Sequence, residues 1–381
     1  MKAIINARVV TPGKIIDDGF ILIENDRIKE VGSLKNCKFP GNVDTMDAGG
    51  LFAGPGFVDI HCHGGGQYWC HTHPEEMAAH HLKHGTTSLV CTIYKTVGFE
   101  GTIEGIGLIK KAYKENKPGN IAGIHLEGPY LSPKYGAAAS GIIKPVASEY
   151  EAFIKHAEGL ICQWTFSPEL DDLDGFVEAA IKHNIPLSIG HSEAGPEQVD
   201  KYVQKGVTII THLMNATGSS IVPSRFEGTR EPSFDECVMI HDLYTEVIPD
   251  SKGVHVRPIM LRLIVKTMGY NRVMIVTDAC AGSDTISEKY PTGDMRSAVD
   301  LNIVNGELYG SKLTMDQACR NMKKHIDCGV AEIFQMSSEN PARAIRLFDE
   351  IGSIEPGKKA NIVLVDEEIN LHGVILGGVE V

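Results

Sequence analysis

The sequence predicts an α/β protein made of a (β/α)8 TIM-type barrel and a small β-sandwich domain that is built from both chain termini. Two observations lead to this prediction. Strand-like apolar runs, each followed by a helix-like stretch, alternate over roughly 290 residues in the middle of the chain. Short runs of β-branched residues, bounded by Asn, Asp and Gly, occupy both ends. We therefore place the small domain at residues 1–52 plus 350–381 and the barrel at residues 53–349.

The two ends of the chain have the pattern of antiparallel strands. At the N-terminus, turn-forming residues separate the runs Ala3–Val10, Gly19–Ile23 and Arg27–Val31. At the C-terminus, Ala360–Asp366 follows a turn that contains Gly and Pro, and a final apolar run lies near residues 373–381. Because both ends differ in the same way from the middle, we expect them to form one domain together.

The middle of the chain alternates between buried strands and helices. The strand-like runs are, in order, Gly56–His63, Thr86–Thr92, Asn120–Gly128, Leu160–Ser167, Ile185–His191, Val207–Leu213, Tyr244–Pro249 and Arg272–Asp278. Helical patterns lie between them, and Pro74 and Pro196 stand where a first helical turn tolerates proline. Such alternation predicts parallel strands with right-handed crossovers. A doubly wound open sheet is the alternative, but Gly64-Gly65-Gly66 lacks the spacing of a dinucleotide-binding turn.

Composition and charge exclude several classes of protein. Of the 381 residues 43% are hydrophobic and 22% charged, which excludes a disordered or collagen-like chain. The 36 basic and 49 acidic residues give a net charge of −13, which disfavours nucleic acid and anionic membranes as partners. No apolar run reaches the ~18 residues of a membrane span, and the first residues do not fit a secretory signal. Nine cysteines without a C-x-x-C pair indicate reduced thiols, so we expect a cytoplasmic protein.

Polar residues stand at the carboxyl ends of five predicted barrel strands. They are His61 and His63 on the first strand, Glu127 on the third, His191 on the fifth, His212 on the sixth and Asp278 on the eighth. Parallel barrel strands bring their carboxyl ends to one rim, where the active sites of such barrels lie. Imidazole and carboxylate suit Zn²⁺ and comparable metals. Glu127, His191 and His212 can hold one divalent ion and His61 with His63 a second, and Asp278 is then the general base and acid.

These residues lie in motifs that resemble a known family. The segments Pro55–His63, Thr277–Ala279, Glu339–Ala342 and Gly352–Lys358 resemble the amidohydrolase superfamily. The segments His125–Tyr130, Gly190–Ser192, Thr211–Ala216 and Gly310–Asp316 resemble one branch of it, the N-acetylglucosamine-6-phosphate deacetylases. The resemblance implies a metal-dependent barrel, with zinc as the expected metal, that removes acetate from a phosphorylated N-acetylamino sugar. Metal-bound hydroxide would attack the acetyl carbonyl, with Glu127, His191 and His212 as ligands and Asp278 as acid and base.

The resemblance also implies how the sugar phosphate is held. Asn215 and Ala216 match a loop that touches the substrate, and His255 matches a histidine after the seventh strand that contacts it. Arg230 matches an arginine that reaches the phosphate from the partner subunit, so we expect a homodimer. Arginine suits this role because its guanidinium binds phosphate oxygens with two parallel hydrogen bonds. The alternative for Arg230 is a surface ion pair with Glu227 or Glu231.

The chain departs from the pattern of this branch in two places. Ala138 stands where a substrate-contacting histidine is expected, and the loop 216–230 is longer than usual. A missing donor changes which substrate is accepted, because a polar substrate group is left unpaired. An amidohydrolase acting on another N-acyl or cyclic amide is therefore the alternative function. A metal-free binding protein on the same fold is a third hypothesis, disfavoured because all five candidate ligands and the acid are present.

Further histidines follow the first strand. Cys70-His71-Thr72-His73 contains a second His-x-His, and three more histidines come shortly after, at His80, His81 and His84. They fall in a loop and on the helix that begins at Pro74, so we expect them to face solvent.

Overall fold

The computed structural model describes residues 1–37, 39, 41, 43–136, 144–218, 226–282, 294, 297–304 and 306–381. The strands are β1 (Lys2–Thr11), β2 (Lys14–Glu24), β3 (Arg27–Ser33), β4 (Asp44–Asp47), β5 (Phe52–Pro55), β6 (Phe57–Cys62), β7 (Gly64–Gly65), β8 (Tyr68–Trp69), β9 (Thr86–Tyr94), β10 (Ile121–Glu127), β11 (Ile161–Phe166), β12 (Leu187–Ile189), β13 (Ile209–Ile210), β14 (Tyr244–Val247), β15 (Val273–Ile275), β16 (Leu301–Val304), β17 (Glu307–Ser311), β18 (Ile362–Val365), β19 (Leu371–Leu376) and β20 (Val379–Glu380).

The helices alternate with the strands of the middle region. They are α1 (Pro74–Leu82), α2 (Gly98–Glu115), α3 (Ala147–Ala157), α4 (Asp174–Lys182), α5 (Pro196–Lys205), α6 (Phe234–Met239), α7 (Pro258–Met268), α8 (Met315–Ile326), α9 (Val330–Phe334) and α10 (Asn340–Ala344). Short 3₁₀ turns lie at Leu34–Asn36 and Lys95–Val97, and a π turn at Gln335–Glu339 joins α9 to α10. Helices α1 and α5 begin at the prolines that the sequence predicts, because a first-turn residue needs no hydrogen-bonded N–H.

The eight-stranded sheet of the middle region is a closed parallel barrel. Its strands follow one another in the order β6, β9, β10, β11, β12, β13, β14 and β15. The segment after β15 returns to β6, where Asp278 N donates to His61 O and His63 N donates to Ala279 O, both at 2.8 Å. The predicted TIM-type barrel is therefore confirmed, and the open doubly wound alternative is wrong because β6 and β15 are not free edges.

The terminal strands form a second sheet that both ends of the chain share. Its order is β20, β19, β18, β5, β1, β2 and β3, with β4 paired to β1. Strand β18 pairs with β5 through Ile362 and Pro55, which ties the C-terminus to the N-terminal strands. Arg27 in β3 also bridges to Lys359, so the sheet curls back on itself around an apolar cluster. The predicted sandwich is thus built as one connected, curled sheet.

A single glycine joins the two sheets. Strand β5 continues to Pro55, past the predicted division at residue 52, and β6 begins at Phe57. A Cβ on Gly56 would lie 2.0 Å from Thr87 Oγ1, so only glycine fits this crossing. Strand β5 packs Phe52 into the barrel core and Ala53 into the core of the terminal sheet. The terminal sheet therefore supports the start of the first barrel strand, which leads to His61 and His63.

The described helices and the cysteines bear on two expectations from the sequence, the absence of a membrane span and the presence of reduced thiols. Among the described helices, none has the length and apolar character that a membrane crossing requires. All nine cysteines are free, and six of them are buried. Buried thiols of this kind pack as small apolar groups.

Candidate metal centre

Four histidines and one glutamate from four barrel strands meet at the carboxyl rim. Glu127 Oε1 lies 2.8 Å from His191 Nε2 and 3.1 Å from His212 Nε2. The same glutamate approaches the first strand, with Oε2 at 3.2 Å from His63 Nε2 and Oε1 at 3.4 Å from His61 Nε2. All five side chains are buried. These distances define two groups that can each hold a cation, Glu127 with His191 and His212, and Glu127 with His61 and His63.

The outward ring nitrogens of three histidines face backbone carbonyls. His63 Nδ1 lies 3.1 Å from Thr92 O, and His212 Nδ1 lies 3.1 Å from Asn215 O. His191 Nδ1 lies 3.4 Å from the carbonyl oxygen of Tyr135. A carbonyl oxygen only accepts hydrogen bonds, so each Nδ1 carries a proton and each Nε2 is left to face Glu127. This is the arrangement by which proteins orient histidine ligands of a metal.

His61 is oriented in the same way by a carboxylate that the sequence analysis missed. Glu246 on β14 is fully buried, and its Oε2 lies 2.9 Å from His61 Nδ1 and accepts the His212 backbone N–H at 3.2 Å. Its Oε1 accepts from Gln163 Nε2 at 2.6 Å. The signal was available, because a glutamate within the short apolar strand Tyr244–Val247 cannot be buried without a partner.

The donor set fits a divalent cation. His61 Nε2 is buried and has no hydrogen-bond partner among the described residues. His191 Nε2 and His212 Nε2 lie 3.0 Å apart with their lone pairs converging on one carboxylate oxygen. Lone pairs and a carboxylate repel one another in a buried site unless positive charge lies between them. Imidazole nitrogen and carboxylate oxygen are donors that zinc and related metals prefer.

The pKa shifts of His63 and Glu127 also indicate that the site attracts positive charge. Burial lowers the pKa of His63, but the carboxylates of Asp278 and Glu127 outweigh it and raise this pKa to about 9. Burial raises the pKa of Glu127, but the charges and hydrogen bonds of the histidines around it hold this pKa well below its usual value. Glu127 is therefore an anion that attracts a cation to the centre of the rim.

Asp278 stands at the edge of this group and faces the pocket. Its Oδ1 lies 3.1 Å from His63 Nε2 and 3.6 Å from His61 Nε2. Burial raises the pKa of Asp278, whereas His63 and His61 lower it by more, so the carboxylate form is favoured. An anionic carboxylate beside the cation-binding atoms is placed to accept a proton.

The backbone is strained where the strands deliver these side chains. His191, His212 and Asp278 have φ angles of 48°, 26° and 48°. Residues with a Cβ rarely adopt this left-handed region, and such strain concentrates at functional sites. The strand ends thus hold the three side chains in a geometry that the rest of the barrel has to stabilise.

A pocket of about 610 Å³ opens over this group, and four of its five members line it, namely His63, Glu127, His191 and His212. Asn215, Ala216 and His255 line it, as does Asp278. His255 is held between Asp250 Oδ2, 3.0 Å from its Nδ1, and Gly310 O, 3.1 Å from its Nε2. The structure thus brings the predicted substrate residues of one chain to the same cavity as the predicted ligands.

Arg230 is not among the described residues that line this pocket. Its side chain is 75% exposed and pairs with Glu236 at 2.6 Å. The partner is thus Glu236, a residue that the alternative pairing with Glu227 or Glu231 did not include. Ala138 and residues 219–225 of the loop 216–230 lie outside the described residues.

Two of the histidines expected to face solvent do not. His81 is fully buried, with Nε2 at 2.9 Å from Gly64 O, and His71 lines the pocket. The expectation was wrong for His81 because Gly65 has no side chain and leaves room for the imidazole, whereas a Cβ there would lie 2.5 Å from His81 Nε2.

Tyr94, at the end of β9, also lines the pocket and was not singled out from the sequence. An aromatic residue directly after a buried strand run was the available signal.

The chain is similar to known proteins over nearly its whole length. The model of the Amidohydrolase family matches residues 52–381. The chain is 30% identical over 380 residues to the N-acetylglucosamine-6-phosphate deacetylase of Bacillus subtilis, covering 94% of this chain and 92% of that protein. It is 28% identical over 384 residues to the N-acetylgalactosamine-6-phosphate deacetylase of a Shewanella species, covering 98% and 94%. A mutant N-acetyl-D-glucosamine-6-phosphate deacetylase from Mycobacterium smegmatis, solved with N-acetyl-D-glucosamine-6-phosphate, superposes with a TM-score of 0.84 at 26% identity, over 100% of this chain and 98% of that one.

Proposed function

The chain belongs to the amidohydrolase family, and from this premise we propose that it removes acetate from an N-acetylated amino-sugar 6-phosphate. The relatives named above act on such sugars and match nearly the whole chain. The observation that carries the proposal is the position of Glu127 Oε1, which lies within 3.4 Å of three histidine Nε2 atoms below an open pocket. A site of this composition suits hydrolysis of an amide, because it needs no serine or cysteine nucleophile.

We assign the metal ligands from the two groups described above. Glu127, His191 and His212 would hold one ion, and His61 and His63 would hold a second with Glu127 shared between the two. Zinc is the metal proposed, since nitrogen donors dominate the set. When bound, the metal acts as a Lewis acid that polarises the amide carbonyl and lowers the pKa of water.

Asp278 is the residue we assign to proton transfer. Its carboxylate faces the pocket and is held in its anionic form by His63 and His61. It accepts a proton from the attacking water and returns it to the nitrogen of the departing amine, so that acetate and the free amino sugar leave. Asn215, Ala216 and His255, which line the same pocket, would position the sugar.

The phosphate needs a cation that the described pocket of one chain does not contain. Among its described lining residues there is neither lysine nor arginine, and Glu307 adds an acidic group. We propose that Arg230 of the partner subunit supplies this charge in a homodimer. The surface around Arg230 supports the proposal, because Phe226 and Ile240 are 76% and 79% exposed. Ile259 on α7 is exposed as well, and α6 packs on α7, so these residues offer an apolar face for a second copy.

We place the enzyme in the cytoplasm, where phosphorylated sugars are retained and free thiols stay reduced.

The test is acetate release from N-acetylglucosamine 6-phosphate and N-acetylgalactosamine 6-phosphate by metal-loaded protein. We expect turnover with at least one of these sugars, and a loss of about 10²-fold or more in the Asp278→Asn variant, since its amide cannot accept the proton. The metal content of the variant, measured by elemental analysis, should equal that of the wild type. Metal-loaded wild type that releases no acetate from either sugar would refute the substrate assignment.

The second candidate is hydrolysis of a different N-acyl or cyclic amide. Ala138 favours it, because alanine cannot donate a hydrogen bond where this branch of the family has a substrate-contacting histidine. The Arg230→Ala variant separates the two candidates. Loss of a phosphate anchor should raise KM for the sugar phosphate at least about tenfold, whereas unchanged kinetics would support the second candidate.

A further inference from the structure

Tyr94 occupies a position beside the candidate metal ligands that no step described so far uses. It is the last residue of β9, and the strand register pairs it with Glu127 on β10. Its ring centroid lies 5.8 Å from that of His63 and 6.3 Å from that of His191. The tyrosine therefore lies against one histidine from each of the two ligand groups.

The hydroxyl of Tyr94 borders the same small space as the ring of His191. A Cβ built on Gly136 would lie 3.4 Å from Tyr94 Oη and 2.5 Å from His191 Nδ1. Gly136 has a φ of 85°, and its lack of a side chain leaves this space open to the pocket that both residues line. Tyr94 and Gly136 therefore line the same part of the pocket as His191, one of the candidate ligands.

Neighbouring groups keep the ring in this position. Tyr309 on β17 packs edge-to-face on it, with 6.4 Å between centroids, and Lys95 Nζ lies 5.8 Å from the centre of the Tyr94 ring. The hydroxyl of Tyr309 hydrogen-bonds Thr96. His71 also lines the pocket, but its Cβ packs towards Gly105 of α2 and its ring towards Trp69. Tyr94, in contrast, is a hydroxyl donor whose ring packs on both His63 and His191.

We propose that the hydroxyl of Tyr94 donates a hydrogen bond to the acyl oxygen of the substrate amide and replaces the donor that Ala138 lacks. This inference rests on the proposed function, because it concerns the carbonyl that is hydrolysed. When water adds to the carbonyl carbon, the π electrons of the C=O bond move onto the oxygen. They return when the C–N bond breaks and the amine takes the proton from Asp278. A phenol is protonated at neutral pH and can stabilise this oxygen while it is negative.

The experiment compares the Tyr94→Phe variant on two substrates, N-acetyl- and N-trifluoroacetylglucosamine 6-phosphate. Phenylalanine keeps the ring contacts and removes only the donor. For the acetyl substrate we expect kcat to fall about 10²- to 10³-fold while KM changes little, since the bond strengthens mainly in the transition state. Fluorine withdraws electrons and makes the transient oxygen less basic, so the trifluoroacetyl substrate should lose less than about tenfold.

The matched control is Tyr202→Phe. Tyr202 is a buried tyrosine of α5 outside the pocket, with its hydroxyl near Lys201, and its loss should leave both rates unchanged. Metal content and melting temperature of the Tyr94→Phe variant should equal those of the wild type. Equal losses on both substrates, or no loss on either, would overturn the role of Tyr94 while leaving the proposed function intact. A wild-type enzyme inactive on both substrates would refute the proposed function and this inference with it.

Discussion

Replacing Glu246 by glutamine tests whether a buried carboxylate makes His61 a metal ligand. Glu246 accepts three hydrogen bonds, from His61 Nδ1, the His212 backbone N–H and Gln163 Nε2. A glutamine in its place has one acceptor oxygen and one donor group. If its NH₂ faces Gln163, two donors meet in a buried site. If its NH₂ faces His61, the proton of His61 moves to Nε2, and that nitrogen can no longer bind a metal.

The size of the effect follows from the bonds that change. Loss of an outer carboxylate that orients a histidine ligand typically lowers metal affinity by 10- to 100-fold, or about 1.4 to 2.7 kcal/mol. We expect this loss of metal affinity at the site proposed for His61 and His63. The ion held by Glu127, His191 and His212 should bind nearly as in the wild type, because their side-chain contacts remain.

The assay is a zinc titration of metal-free protein by calorimetry, with elemental analysis after dialysis against a chelator of known affinity. Asp300→Asn is the matched control, because Asp300 is a buried carboxylate that accepts from Ser251 and from the Asn321 side-chain amide, outside the pocket. The reasoning is refuted if Glu246→Gln binds zinc as tightly and in the same ratio as the wild type. Equal weakening by Asp300→Asn would also refute it, since the effect would then be one of general stability.

Three further outcomes are expected. Removing the metal with a chelator should lower the melting temperature, since an ion at 100 times its Kd stabilises the folded state by about 2.7 kcal/mol; an unchanged melting temperature would contradict a bound ion. Burial lowers the pKa of His81 to about 3, so the unfolded chain binds one more proton below about pH 6.5 and the free energy of unfolding should fall by about 1.4 kcal/mol per pH unit towards pH 3. Urea denaturation of His81→Gln should lose this one-proton slope, and parallel slopes would refute the assignment. Mixing Arg230→Ala with Asp278→Asn protein should restore about one quarter of the wild-type rate, because half of the dimers then carry one intact site; no recovery in confirmed mixed dimers would argue against an arginine shared between subunits.

The barrel and the meeting of its polar residues could be predicted because both follow from chain order. Alternating strands and helices force the strands to run parallel, so their carboxyl ends share one rim. His61, Glu127 and His191 each stand within two residues of the end of a strand run in the sequence, and in the structure they lie around one point. No knowledge of side-chain packing was needed for this step.

Contacts that depend on side-chain direction were not predictable in the same way. Glu246 lies inside β14, and only the three-dimensional register shows that its carboxylate reaches His61 rather than solvent. The burial of His81 depends on the absence of a side chain at Gly65, which lies in a different segment of the chain. The helical pattern of α1 alone therefore could not predict it. Arg230 pairs with Glu236, six residues away, because the chain turns at Ser233 before α6 and brings the two side chains together.

The negative net charge of the chain bears on how the site could bind an anionic substrate. A protein with a net charge of −13 repels an anionic substrate at long range, and the described part of its pocket offers imidazoles but neither lysine nor arginine. An imidazole that binds a metal through Nε2 is neutral and cannot attract a phosphate itself. In the proposed reaction, positive charge would come from a metal ion at the acetamide end and from Arg230 of a second subunit at the phosphate end. A monomeric form of this protein should therefore bind the sugar phosphate weakly even with its metal in place.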